Sequence, residues 1–378
     1  MATLANAKLV TPQGVTQGWL REENGHIAAL GHGAPPSDGS HPLDAGGRWV
    51  IPGTVDIHLH GGAGAAFTDE SAEPIRDIVA FNRGKGVTTV IGGLVAATPE
   101  DTHRQVSMLA ELADAGEIGG IFLEGPYIAA AKCGAHDPAL LRAPDQDEFS
   151  RLLKAGRGHL RMLTIAPELP GALALIRRAV AEGVTVAVGH TEATYEQARA
   201  AFDAGATVAT HLFNAMGPLH HREPGPIAAA LTDDRVTVEI INDGVHVHPA
   251  AVRLAFAAAG ADRIALVTDA MAATGLGDGE YMLGKLRVRV VDGRATVAET
   301  GAIASSTIVL PDAIRRAVHE VGVTLPEAVH AATRVPARAL GLPGIGSLEP
   351  GNAADLVMLD DDLTVAGVAH RGTWLDGR

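Results

Sequence analysis

Eight apolar runs of strand length, alternating with helical stretches over residues 51–321, predict an α/β fold built as a (β/α)8 TIM barrel. Two further observations complete the prediction. Strand-like pieces punctuated by Gly, Pro and Asp precede residue 50 and follow residue 340, and 45 glycines in 378 residues suit a chain of many tight turns. The expected organisation is a small β-sandwich domain formed by both chain ends, residues 1–50 and 341–378, with the barrel spanning residues 51–340.

The first β pieces are AKLVTPQG, GHIAALGHG and HPLDAGGRW, and from Ile51 the rhythm changes. VDIHLH, TTVIGGLVA, GGIFLEG, LRMLTIAPE, VTVAVGH, ATVATHLF, VTVEIIND and RIALVTDA are nearly continuous in apolar character, as strands covered on both faces should be. Helical stretches follow at 71–85, 99–115, 145–156, 170–182, 194–204, 248–259 and 307–321, while the sixth run leads into a long loop. Between the eighth run and its helix, LGKLRVRVVDGRATVAET alternates on either side of Asp292-Gly293, which predicts an inserted β-hairpin near residues 280–300. The closing GSLEPGNAADLVMLDDDLTVAGVAHRGTWLDG reads as short strands that pair with the N-terminal unit.

Composition narrows the function. A hydrophobic share of 47% argues against disorder. A net charge of -14 without a lysine-arginine run argues against nucleic-acid or anionic-membrane partners, and an anionic ligand would need its own local cations. One cysteine, Cys133, excludes an internal disulfide framework. No basic leader or membrane-length apolar run is present, so a cytoplasmic protein is expected. Histidine, the commonest metal ligand, occurs 17 times.

Barrel active sites lie at the carboxyl ends of the strands, and ionisable residues collect there. The first strand ends in His58 and His60, whose i, i+2 spacing puts both imidazoles on one face. The third ends in Glu124, the fifth in His190, the sixth in His211 and the eighth in Asp269, with Asp243 and His246 beyond the seventh. Each residue alone has a bland reading as a hydrogen-bonded core group or a cap. Together they make a nitrogen and oxygen ligand set suited to zinc, iron, manganese or cobalt, with an open position to activate water. Asp269 can take a proton from that water and return it to a leaving amine. His136, in KCGAH, can polarise a carbonyl, and Arg222, in a Pro- and Gly-rich loop beside His220 and His221, suits a phosphate. Cys133 reads as a small packing residue, and HGGAG after His60 as a turn.

PGTVDIHLHG, FLEGPYI, KCGAH, VGHT, THLFNAM, HREPG, NDGVHVHP and LVTDAM resemble, in this order, the N-acetylglucosamine-6-phosphate deacetylases of the amidohydrolase superfamily. GSLEPGNAADLVMLD resembles the superfamily's closing β segment, so the likeness covers nearly the whole chain. It implies deacetylation of N-acetyl-D-glucosamine 6-phosphate by metal-activated hydroxide, with Asp269 as general base and then acid and His136 polarising the carbonyl. Glu124, His190 and His211 would hold a principal divalent metal, zinc foremost. His58 and His60, with Glu124 bridging, would hold a second. Some members carry Gln and Asn at these two positions and keep one metal. Asn214, the Ala215 backbone and His246 would contact the sugar phosphate, and Arg222 would meet the phosphate from its own or a neighbouring subunit of a homodimer. The galactosamine epimer remains an alternative substrate. Cyclic amidohydrolases usually carry a bridging lysine after the fourth strand, where this chain reads APE.

Overall fold

The computed structural model of the protein describes residues 2–37 and 41–375, so the outermost residues of both predicted β segments lie outside the described residues. Thr54–Leu59, Val87–Val95, Gly120–Glu124, Leu160–Ile165, Thr185–Val188, Val208–Ala209, Thr237–Ile241 and Ile264–Val267 form one parallel sheet in sequence order. The circle is drawn together where the Asp269 backbone N–H donates to the His58 carbonyl at 2.8 Å. Asp56 pins the same seam, its carboxylate accepting from Thr268 Oγ1 at 2.5 Å.

The interior is filled by Val55, Ile57, Ile91, Phe122, Met162, Val208, Ile241 and Val267. Its far end is closed by Val335, Ala337 and Leu340. Val335 and Ala337 belong to the helix Arg334–Ala339, which the apolar-run reading did not resolve because its six residues are too short to show a 3.6 period. Helices pack outside, among them Ala72–Gly84, Pro99–Asp114, Gln146–Gly156 and Pro249–Ala259. The long loop after the sixth strand does contain a helix, Gly225–Leu231.

The first strand needs an irregularity to aim its histidines. Asp56 pairs with Val90 and Leu59 with Gly92, so three steps on one strand answer two on the other. Such a bulge re-aims side chains. Below it Val55 and Ile57 face the interior; above it His58 lies 4.6 Å from the interior ring of Phe122 and Leu59 joins the outer core.

Two expectations are corrected. Strands from both chain ends form a single eight-stranded sheet rather than a two-sheet sandwich. That sheet curls back on itself: Ile27 N donates to Asn352 O and Ala354 N to Gly25 O, both at 2.8 Å, around a core that includes Leu9, Leu20, Val50 and Leu356. The inserted hairpin has three strands, Gly279–Leu283, Leu286–Val291 and Arg294–Val297. The turn at Asp292 and Gly293, both at positive φ, joins the last two as expected.

Candidate metal centre and substrate cavity

The strand ends deliver their ionisable groups to one buried point. Glu124 Oε1 lies 2.9 Å from His190 Nε2, 3.0 Å from His211 Nε2 and 3.5 Å from His58 Nε2. Its Oε2 lies 3.0 Å from His60 Nε2 and 3.3 Å from His136 Nε2. Asp269 Oδ1 is 3.3 Å from His60 Nε2 and 3.8 Å from His58 Nε2. All seven side chains are buried.

The backbone bends to achieve this. His190, His211 and Asp269 have φ of 49°, 25° and 49°, in the left-handed region that non-glycine residues seldom occupy. Each stands just past the last residue of its strand, so the turn that ends the strand swings the side chain over the barrel mouth.

These residues fit a divalent cation. His58 Nε2 and His60 Nε2 are buried and make no hydrogen bond, although carboxylate oxygens stand 3.0–3.8 Å away. Nitrogen and oxygen atoms thus aim at shared points instead of at each other. Three groups have ligand atoms close enough to share an ion: His58, His60 and Asp269; His58, Glu124 and His211; and Glu124, His136 and His190. Carboxylate and imidazole donors without thiolate match the ligand class expected from sequence.

The charge balance points the same way. Burial disfavours charge on His58, but Glu239 and Glu124 outweigh it and hold its pKa well above the usual imidazole range. His60 is likewise raised to about 9, with Asp269 and Glu124 overcoming burial. Against burial, His58 and His190 hold Glu124 well below the carboxylate range, and His60 and His58 hold Asp269 down. The acids call for positive charge, which protons or a metal ion can answer. Burial pushes His136 and His211 down. A neutral His136 accepts from Ala96 N–H at Nδ1 (3.3 Å), which leaves its proton on Nε2 facing the centre.

Above this point lies a cavity of about 270 Å3. Asn214, Ala215 and His246 line it beside the cluster, and Leu283, Ala302, Ile303 and Ser305 from the inserted ribbon and its return form another wall. Asp243 accepts from His246 Nδ1 at 2.7 Å, which leaves Nε2 of that ring for a ligand. Arg222 is not in this cavity. It lies exposed in a separate surface pocket with His220, its Nη1 2.8 Å from His221 Nε2, because its loop runs outward from the mouth. Among the described residues no lysine or arginine lines the cavity. Cys133 lies half-buried in the loop before His136, and HGGAG forms the tight pair Gly61–Gly62 with Ala65–Ala66.

Two buried carboxylates escaped sequence reading. Glu239 backs His58, and Asp56 bridges to Thr268; their only signal was a lone acid inside an apolar run.

Residues 49–375 match the amidohydrolase family. The fold superposes at TM-score 0.95 on an aspartate-to-alanine mutant of N-acetyl-D-glucosamine-6-phosphate deacetylase from Mycobacterium smegmatis in complex with N-acetyl-D-glucosamine-6-phosphate. That protein is 49% identical, with 99% of this chain and 98% of that one covered. N-acetylgalactosamine-6-phosphate deacetylase of Escherichia coli O157:H7 is 38% identical over 372 residues, 96% of each chain. Human N-acetylglucosamine-6-phosphate deacetylase is 38% identical over 338 residues, 85% of this chain and 82% of its own. The chain belongs to the amidohydrolase family.

Proposed function

We propose that the protein hydrolyses the acetamide of N-acetyl-D-glucosamine 6-phosphate to D-glucosamine 6-phosphate and acetate. One observation carries the reading: Glu124, five imidazoles and Asp269 converge on one buried point beneath a sugar-sized cavity, in a chain 49% identical to a deacetylase of that substrate. A divalent cation held by Glu124, His190 and His211, and a second held by His58 and His60, would supply the charge that acidifies water and polarises the acetyl carbonyl. Zinc is our first choice for the metal, with iron, manganese and cobalt served by the same donors.

The protein's own groups divide the remaining work. Asp269, held ionised by its histidine neighbours, accepts the proton of the attacking water as the oxygen bonds to the acetyl carbon. Ser305 Oγ donates to Asp269 Oδ1 at 3.1 Å and steadies it. His136 is assigned to the acetyl carbonyl: its Nε2–H faces the centre, 3.3 Å from Glu124 Oε2, and a donor fixed in advance lowers the barrier as the carbonyl oxygen gathers charge. When the carbon–nitrogen bond breaks, Asp269 returns its proton to the sugar nitrogen, because an amide anion is a poor leaving group. Acetate and the free amine result.

His246, Asn214 and the Ala215 backbone are assigned to the sugar and its phosphate. Since no guanidinium among the described residues lines the cavity, Arg222 is assigned to the phosphate of a neighbouring subunit in a homodimer. No helix among the described residues is long and apolar enough to cross a membrane. We assign the protein to the cytoplasm on its single cysteine, which suits a reducing compartment.

The test is acetate release from N-acetylglucosamine 6-phosphate beside the galactosamine epimer and unphosphorylated N-acetylglucosamine. Preference for the glucosamine phosphate is expected, and Arg222→Ala should raise KM for it while sparing the unphosphorylated sugar. Preference for the epimer would overturn the substrate assignment.

A further inference from the structure

The four imidazoles assigned above to metal ions, His58, His60, His190 and His211, differ in what stands behind them. Nδ1 of His190 meets the Lys132 carbonyl at 2.7 Å and Nδ1 of His60 the Gly93 carbonyl at 3.2 Å, both neutral acceptors. Nδ1 of His211 is buried without a hydrogen bond. His58 alone of the four is backed by a carboxylate, Glu239, whose Oε2 accepts from Nδ1 at 2.9 Å and from the His211 backbone N–H at 3.2 Å.

Glu239 is fully buried in the seventh barrel strand, between Val238 and Ile240, and does not line the cavity. Its Oε1 has no hydrogen bond. An ionised carboxylate with an unanswered oxygen is costly to bury unless positive charge lies close by. Glu124 and Asp269 together would balance one divalent cation. Adding Glu239 makes three negative charges, which one divalent ion leaves short by one. The contact at Nδ1 also sets the tautomer: the ring carries its proton toward Glu239 and presents the bare Nε2 to the centre.

We propose that Glu239 is a positioning residue that makes the His58 and His60 limb a second cation site, by fixing the His58 tautomer and supplying the negative charge the second ion requires. This rests on the metal-dependent reading above, and its test separates the two.

Full-length protein is stripped with a chelator, titrated with Zn2+, and analysed for metal per subunit, second-ion affinity and Tm. Wild type takes two ions. Glu239→Gln keeps the first and binds the second roughly 10- to 100-fold more weakly. A merely structural carboxylate would lower Tm and leave both ions bound. Undiminished second-ion affinity in Glu239→Gln, or one ion in wild type, overturns the proposal. If Glu239→Gln does not fold, Glu239→Asp, with its carboxylate drawn back, should show the same weakening, and undiminished affinity there overturns the proposal equally. Acetate release by the wild-type protein reports on the deacetylase reading alone.

Discussion

Asp269 stands where two demands meet. In the proposed mechanism it is ionised to receive a proton, and His60 and His58 hold its pKa down despite burial. The same mechanism has it reach both water and leaving nitrogen, and its left-handed φ of 49° tips it over the cavity beside Glu124. Asp269→Asn keeps the shape and the Ser305 contact but removes the proton acceptor. The expected result is metal content near that of wild type with kcat lowered by about 10^2- to 10^4-fold, measured as acetate release beside metal analysis. Retained turnover would remove Asp269 from its role. The residue's place at a strand end was legible in LVTDA, because an acid closing an apolar run is costly without a partner. Glu239 was less legible. Its neighbours fit a buried strand, and nothing local shows that its partner lies 181 residues away.

The barrel strands act as arms whose ends must hold register to a fraction of an ångström. The seam between the first and eighth strands depends on Asp56, which accepts from Thr268 Oγ1 and from the His58 backbone N–H at 3.2 Å. Burial raises Asp56 to about 7, above the 3.8 usual for an aspartate, even though these donors oppose the shift. The unfolded chain is therefore ionised across pH values where the folded protein keeps the proton. Folding takes up a proton there, so this residue's contribution to stability falls as pH rises from about 4 to 7 and then levels off. Asp56→Asn cannot titrate and should gain stability relative to wild type over that interval in denaturant unfolding of the metal-free proteins. Parallel pH curves would show that Asp56 does not carry the shift. The element types were readable from apolar run length; the bulge at Ile57 and His58 was not, since a one-residue offset leaves hydrophobicity unchanged. The ribbon was read as two strands because Asp292-Gly293 marks one turn strongly, whereas the turn at Gly284 and Lys285 carries a weaker signal.

At the scale of the molecule, the parallel sheet supplies the strand ends that carry the site, the outer helices and the small helix below pack against it, and the ribbon walls the cavity. Topology was legible because eight βα repeats leave few alternatives. The placement of Arg222 was not, because a sequence does not say whether a loop turns into its own cavity or toward a neighbour. The assembled centre is expected to hydrolyse an acetamide only with metal in place. The most direct measurement is acetate release from N-acetylglucosamine 6-phosphate by chelated full-length protein during stepwise return of Zn2+. Negligible release is expected without metal, with recovery that tracks the ions bound per subunit; full turnover by the metal-free protein would show that the reaction does not need the metal.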